Sequence, residues 1–174
     1  MDLRSLLADL AGFQRRAITL YRTYAEQFAD NPAVDRLWRE MSDVEAGHFA
    51  TLTLAGDLLD MPGSVASGTQ AAPLAARDTT EALYQAAETE ARGSPLLAAV
   101  VETALRLEED ELPRVRSLLT ALAGRARASV LTGVLPGFVS HLDCLETLAT
   151  LSGRTDLTLR IRTLKGDAGA LRAG

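Results

Sequence analysis

Apolar residues recur along this chain at alternating steps of three and four, the period of a helix that buries one stripe. Leu3, Leu7, Leu10, Gln14, Ala17, Tyr21, Tyr24 and Phe28 form the first ladder. Val34, Trp38, Met41, Glu45, His48, Leu52, Ala55 and Leu59 form the second. Asp30-Asn31-Pro32 separates them, with Asn31 suited to cap a helix and Pro32 to open it. So short a break between two long helices predicts an antiparallel hairpin. A third ladder runs through Leu97, Val101, Ala104, Glu108, Glu111, Val115, Leu118 and Leu122, and a fourth through Val130, Val134, Gly137, His141, Cys144, Leu148 and Leu151. Gly93-Ser94-Pro95 marks the start of the third, with Ser94 as cap, and Gly124 its end. Pro113 removes one bond inside the third and predicts a kink just past its glutamates. Pro136-Gly137 predicts a bend in the fourth, or a late start to it.

Two stretches are less regular. Pro62, Gly63, Ser64, Ser67, Gly68 and Pro73 mark an irregular link. Thr79 or Thr80 then caps a short helix reaching to about Arg92, whose role the pattern leaves open. Beyond Gly153 the tail is polar and basic, with Leu157, Ile161 and Leu164 at helical spacing, which predicts a short packed helix and a loose Gly-rich end. Four ladders joined short, long, short describe an all-α chain: a four-helix bundle of two hairpins with one long crossover. The bundle would span 1–153, with hairpins at 2–60 and 94–153, the crossover at 61–93, and a C-terminal tail at 154–174.

Composition narrows the functional classes. With 174 residues, 47% of them hydrophobic, the chain suffices for one domain with a real core. A formal charge of −5 argues against a nucleic-acid or anionic-membrane partner. No apolar run approaches the roughly 18 residues of a membrane span. Met1-Asp2-Leu3-Arg4 lacks the start of a signal peptide, and a single cysteine, Cys144, offers no disulfide framework. A cytoplasmic setting is therefore expected. Bundles of this kind pair along helix faces, so a homodimer is the expected assembly.

The polar residues that interrupt the ladders carry the chemistry. They are Gln14 on the first, Glu45 and His48 on the second, Glu108 and Glu111 on the third, and His141 and Cys144 on the fourth. Each falls near the middle of its helix, so all seven can meet at one level. The chain's two histidines and its one cysteine are all among them. Unpaired buried polar groups are costly, so such a gathering needs a purpose. The spacing also repeats: 96 residues separate Glu45 from His141 and His48 from Cys144, and 94 separate Gln14 from Glu108. The hairpins read as duplicates with their polar residues in register.

Glu45-Ala46-Gly47-His48, with Glu108 on the third ladder, resembles the di-metal carboxylate pattern of ferritin-like bundles. Gln14 to Tyr21 is similar to the first helix of the rubrerythrin branch, and Trp38 to Phe49 to its second. The resemblance is sharp over 14–52 and architectural over 3–151. It implies metal ligands at Glu45, His48, Glu108, His141, Cys144 and Glu111, with Gln14 behind them in the place of the family's first Glu. Where the family repeats Glu-x-x-His, this chain has His141-Leu142-Asp143-Cys144. Imidazole and thiolate tilt the choice toward zinc or a single iron. No Cys-x-x-Cys pair follows the bundle, so any redox cycle needs an outside donor.

Three functions stay open at this point. The chain is a metal enzyme acting on peroxide or dioxygen, a bundle that holds one or two iron or zinc ions without turnover, or a metal-free scaffold that works through self-association or a partner.

Overall fold

The computed structural model describes residues 3–60, 77–122 and 134–173, which form six helices and no strand. They are α1 (Leu3–Gln27), α2 (Pro32–Asp60), α3 (Arg77–Ala91), α4 (Leu97–Leu122), α5 (Val134–Leu151) and α6 (Thr155–Ala173). The chain is all-α, as the ladders predict. No described helix is long and apolar enough to cross a membrane. The irregular link at 61–76, the expected end of the third helix at Gly124 and the ladder position Val130 lie outside the described residues.

The ladders are the buried stripes. From Leu3 to Tyr24 every ladder position on α1 is buried, the amide of Gln14 included. At the turn into α2, Asn31 Oδ1 accepts from the Val34 N–H at 3.4 Å, as a capping side chain does. α1 lies along α2, α2 along α5, α5 along α4, and α4 returns to α1. α4 runs unbroken through Pro113. It starts at Leu97, two residues beyond Pro95, because the Leu96 carbonyl takes its first bonds, from Ala99 and Val100. Pro136 and Gly137 both lie within α5, which is described from Val134 onward.

Two expectations change. Thr79 and Thr80 do not cap α3 (Arg77–Ala91) but lie inside it. Thr80 is buried and its hydroxyl donates to Asp110 Oδ2 at 2.7 Å, fastening α3 to α4. A stack completes the attachment: Arg114 lies over Phe13, Phe13 is parallel to Tyr84 at 5.5 Å, and Arg16 lies over Tyr84 while pairing with Glu81 and Glu88. The tail is likewise more than a short helix. α6 has 19 residues, with Leu157, Ile161, Leu164 and Ala168 buried against α5 and α4. Gly153 makes the connection: at φ 74° it ends α5, while Arg154 N–H bonds back to Ala149 and Gly153 N–H to Thr150.

The apolar interior falls into two clusters. The larger gathers around Tyr21, Trp38, Leu105, Phe138 and Leu145, and the smaller around Leu3, Leu6, Leu7, Leu10, Leu52, Val115, Leu118 and Val134. On α1, α2 and α4 the polar seam residues lie at the boundary between them.

Candidate metal centre

The facing helices α2, α4 and α5 bring Glu45, Glu108 and His141 together. One ligand atom from each lies within 4.8 Å of the others, and all three residues are buried. His141 Nδ1 stands 3.1 Å from Glu45 Oε1 and 3.2 Å from Glu108 Oε1. Neither contact is aligned as a hydrogen bond, and Nδ1 is without a hydrogen-bond partner. The other ring nitrogen, Nε2, is 3.1 Å from the Met41 carbonyl. A carbonyl only accepts, so Nε2 carries the hydrogen and Nδ1 is the free ligand atom of the neutral ring.

His48 flanks this trio. Its Nδ1 is 3.3 Å from Glu45 Oε2, so Glu45 presents one carboxylate oxygen to each histidine. His48 Nε2 has no partner and abuts Gly137, where a Cβ would fall on that nitrogen and come within 3.0 Å of Val44 Cγ1. Gly137 thus leaves the space the imidazole fills.

Tyr21 and Gln14 close the site from α1. The Tyr21 hydroxyl donates to Glu108 Oε1 at 3.0 Å, leaving Glu108 Oε2 unpaired. Gln14 Nε2 donates to Glu111 Oε1 at 2.7 Å, which turns the amide oxygen inward without a partner. Glu111, half-buried, therefore stands behind the trio with Gln14.

Cys144 does not join them. Its Sγ faces Glu40 Oε2 at 3.9 Å. α5 passes α2 in the opposite direction: Gly137 meets His48, His141 meets Glu45 and Met41, and Cys144 meets Glu40. Three residues advance the helix by about 4.5 Å. That step carries the short thiol past the level of the carboxylates. Burial, with Glu40 next in weight, pushes the thiol up to about 11, so it is no thiolate at neutral pH.

The electrostatics are those of negative charge crowded out of water. Burial pushes the Glu45 carboxyl up, against the pull of His141 and with a push from Glu108, to about 8. Burial likewise lifts Glu111 to about 8, Glu45 and Glu108 adding to it. Burial alone would lower His141, but the Glu45 and Glu108 carboxylates outweigh it and hold the ring protonated up to about 10. His48 is lowered, first by burial. The Tyr21 phenol is raised well above its usual range by burial and the nearby carboxylates. Without a metal, a proton on His141 offsets the carboxylates.

The ladders placed Glu45, His48, Glu108, His141, Cys144 and Glu111 in one ligand group with Gln14 behind it; the structure brings Glu45, His48, Glu108 and His141 together, sets Glu111 beside them with Gln14, and turns Cys144 to Glu40. They did not reveal the Met41 carbonyl, which leaves no mark in a sequence, or Gly137 as the seat of His48, where the Pro-Gly pair predicted only a bend or a late start. Among known proteins, no family model, no curated protein and no solved structure matches this chain.

Proposed function

We propose that this protein binds a transition-metal ion, iron or zinc, through Glu45, Glu108 and His141, with His48 and Glu111 available to complete the shell or to hold a second ion. The ring of contacts α1–α2–α5–α4 supports reading the chain as a ferritin-like four-helix bundle of two hairpins joined by a crossover. The observation that carries the metal reading is the environment of His141 Nδ1. It is buried and lies near two carboxylate oxygens without hydrogen-bond alignment, while its other nitrogen is held by a backbone carbonyl. Two carboxylates and an imidazole suit zinc or iron, and a carbonyl on the remote ring nitrogen is the usual support for such a ligand.

In this reading each residue has a task. Glu45 spans the two histidines. Glu108 is oriented by Tyr21. Gln14 holds Glu111 beside the group as a neutral donor. Iron would supply redox chemistry with peroxide or dioxygen, of the kind rubrerythrin-like proteins carry out, and zinc would not. The narrower redox reading needs an external electron donor.

Elemental analysis of protein purified without chelator or affinity metal is the direct test. Bound iron or zinc in the wild type, lost in Glu45→Ala/His48→Ala, is the expected result. Metal content unchanged in the double variant overturns the ligand assignment. The contacts Tyr21 to Glu108, His48 to Glu45 and Gln14 to Glu111 favour a second reading, a metal-free polar core in a scaffold that works by association. A melting temperature indifferent to iron, zinc and manganese would select it.

A further inference from the structure

Three oxidisable rings lead away from the carboxylate group in direct contact. Tyr21 donates its phenol hydrogen to Glu108 Oε1 at 3.0 Å. Its ring stacks on Trp38 at 5.6 Å, and Trp38 meets Tyr24 at 5.1 Å. All three side chains are almost wholly buried. Buried tyrosine and tryptophan ordinarily find a partner for their polar atom. Here Trp38 Nε1 and Tyr24 Oη have none, and Tyr21 alone is bonded, to a carboxylate.

That difference decides where a missing electron comes to rest. Oxidising a phenol is favourable only if its proton has somewhere to go. Tyr21 has a base in place; Tyr24 has not. Oxidised Trp38 has no base either, so it takes an electron from a neighbour that can release a proton.

We infer that Tyr21 is a one-electron donor coupled to Glu108, and that it exchanges electrons with Trp38 through the stacked rings. In the step, Tyr21 gives one electron to the Trp38 radical cation and its phenolic proton to Glu108 Oε1. The products are neutral Trp38, a Tyr21 phenoxyl radical and a protonated Glu108. A redox-active ion, if held by Glu45, Glu108 and His141, would supply the oxidising equivalent, and Tyr21, bonded to one of those carboxylates, is the ring placed to receive it. This use of the pair rests on the metal reading above, while the exchange between the rings does not.

The experiment uses the metal-free full-length protein, so that it stands apart from any failure to bind metal. Laser photoionisation at the red edge of the indole band, where phenols do not absorb, makes the radical cation without a reagent having to reach the buried ring, and Trp38 is the only tryptophan in the chain. The expected result is decay of the indolyl radical band with matching growth of the phenoxyl band, at a rate independent of protein concentration. Tyr21→Phe keeps the ring and should slow this transfer about tenfold or more, as should Glu108→Gln. Tyr24→Phe should leave it unchanged. In the wild type the transfer should be slower in deuterated water, a readout that needs no variant and that packing alone would not move. Absence of the transfer, its survival in Tyr21→Phe, its loss in Tyr24→Phe, or a rate indifferent to deuterium overturns the inference.

Discussion

The Nε2 of His141 sits 3.1 Å from the carbonyl of Met41, four residues before Glu45 on α2. One helix thus both orients the imidazole and supplies a carboxylate to its other nitrogen. This geometry commits Nδ1 to whatever lies between Glu45 and Glu108.

If that is a metal, saturating zinc or ferrous iron should raise the melting temperature. A free concentration 100 times Kd stabilises by about 2.7 kcal/mol. His141→Ala should abolish the gain, because it removes one of the three convergent atoms. Differential scanning calorimetry with and without metal checks this.

The metal-free protein should lose stability as pH rises. The folded His141 is held protonated up to about 10, above its ordinary 6.5. Its contribution is therefore fully present below 6.5 and lost as pH climbs through 10. Glu45 acts in the same direction. Its carboxyl stays neutral in the fold up to about 8, against an ordinary 4.5, so stability falls as pH rises through that window. Urea midpoints should decline from pH 6.5 to pH 9, above the range in which the lowered His48 works the other way. A flat or rising profile would contradict the arrangement.

Gly137→Ala should destabilise. Alanine ordinarily gains about 1 kcal/mol over glycine within a helix. At this site the new methyl meets His48 Nε2 and Val44. Overpacking of this kind costs about 1–3 kcal/mol. In a His48→Ala background much of the cost should vanish, and a double-mutant cycle by urea denaturation measures the coupling.

Cys144 should prove chemically quiet and irrelevant to metal. A buried thiol raised to about 11 should react with iodoacetamide at pH 8 far more slowly in the folded protein than in urea. Cys144→Ser should keep its full metal content. Loss of metal in that variant would return the sulfur to the ligand set.

The periodicity of three and four was enough to find the long helices, because each buries one continuous stripe. It also gathered Glu45, His48, Glu108 and His141, because a polar residue on such a stripe has nowhere to go but inward. It failed at Cys144, since sharing a stripe with His141 fixes direction but not level along the axis. It misread Thr80, whose hydroxyl serves Asp110 rather than a helix end, because a capping residue and a residue bonding across helices look alike in one dimension. It shortened α6, where Gly166 and Gly169 suggested an unravelled end, yet Ala168 between them is buried.

The boundary between the two apolar clusters bears on how this molecule comes apart. The smaller cluster, from Leu3 to Leu10 with Leu52, Val115, Leu118 and Val134, has no aromatic ring in it, whereas Tyr21, Trp38 and Phe138 anchor the larger. Thermal opening should therefore start at the leucine-rich pole and halt at the acid–imidazole floor, so amide hydrogens of residues 3–10 exchange long before those of residues 20–25. A bound cation would tie that floor together and narrow the gap between the two rates.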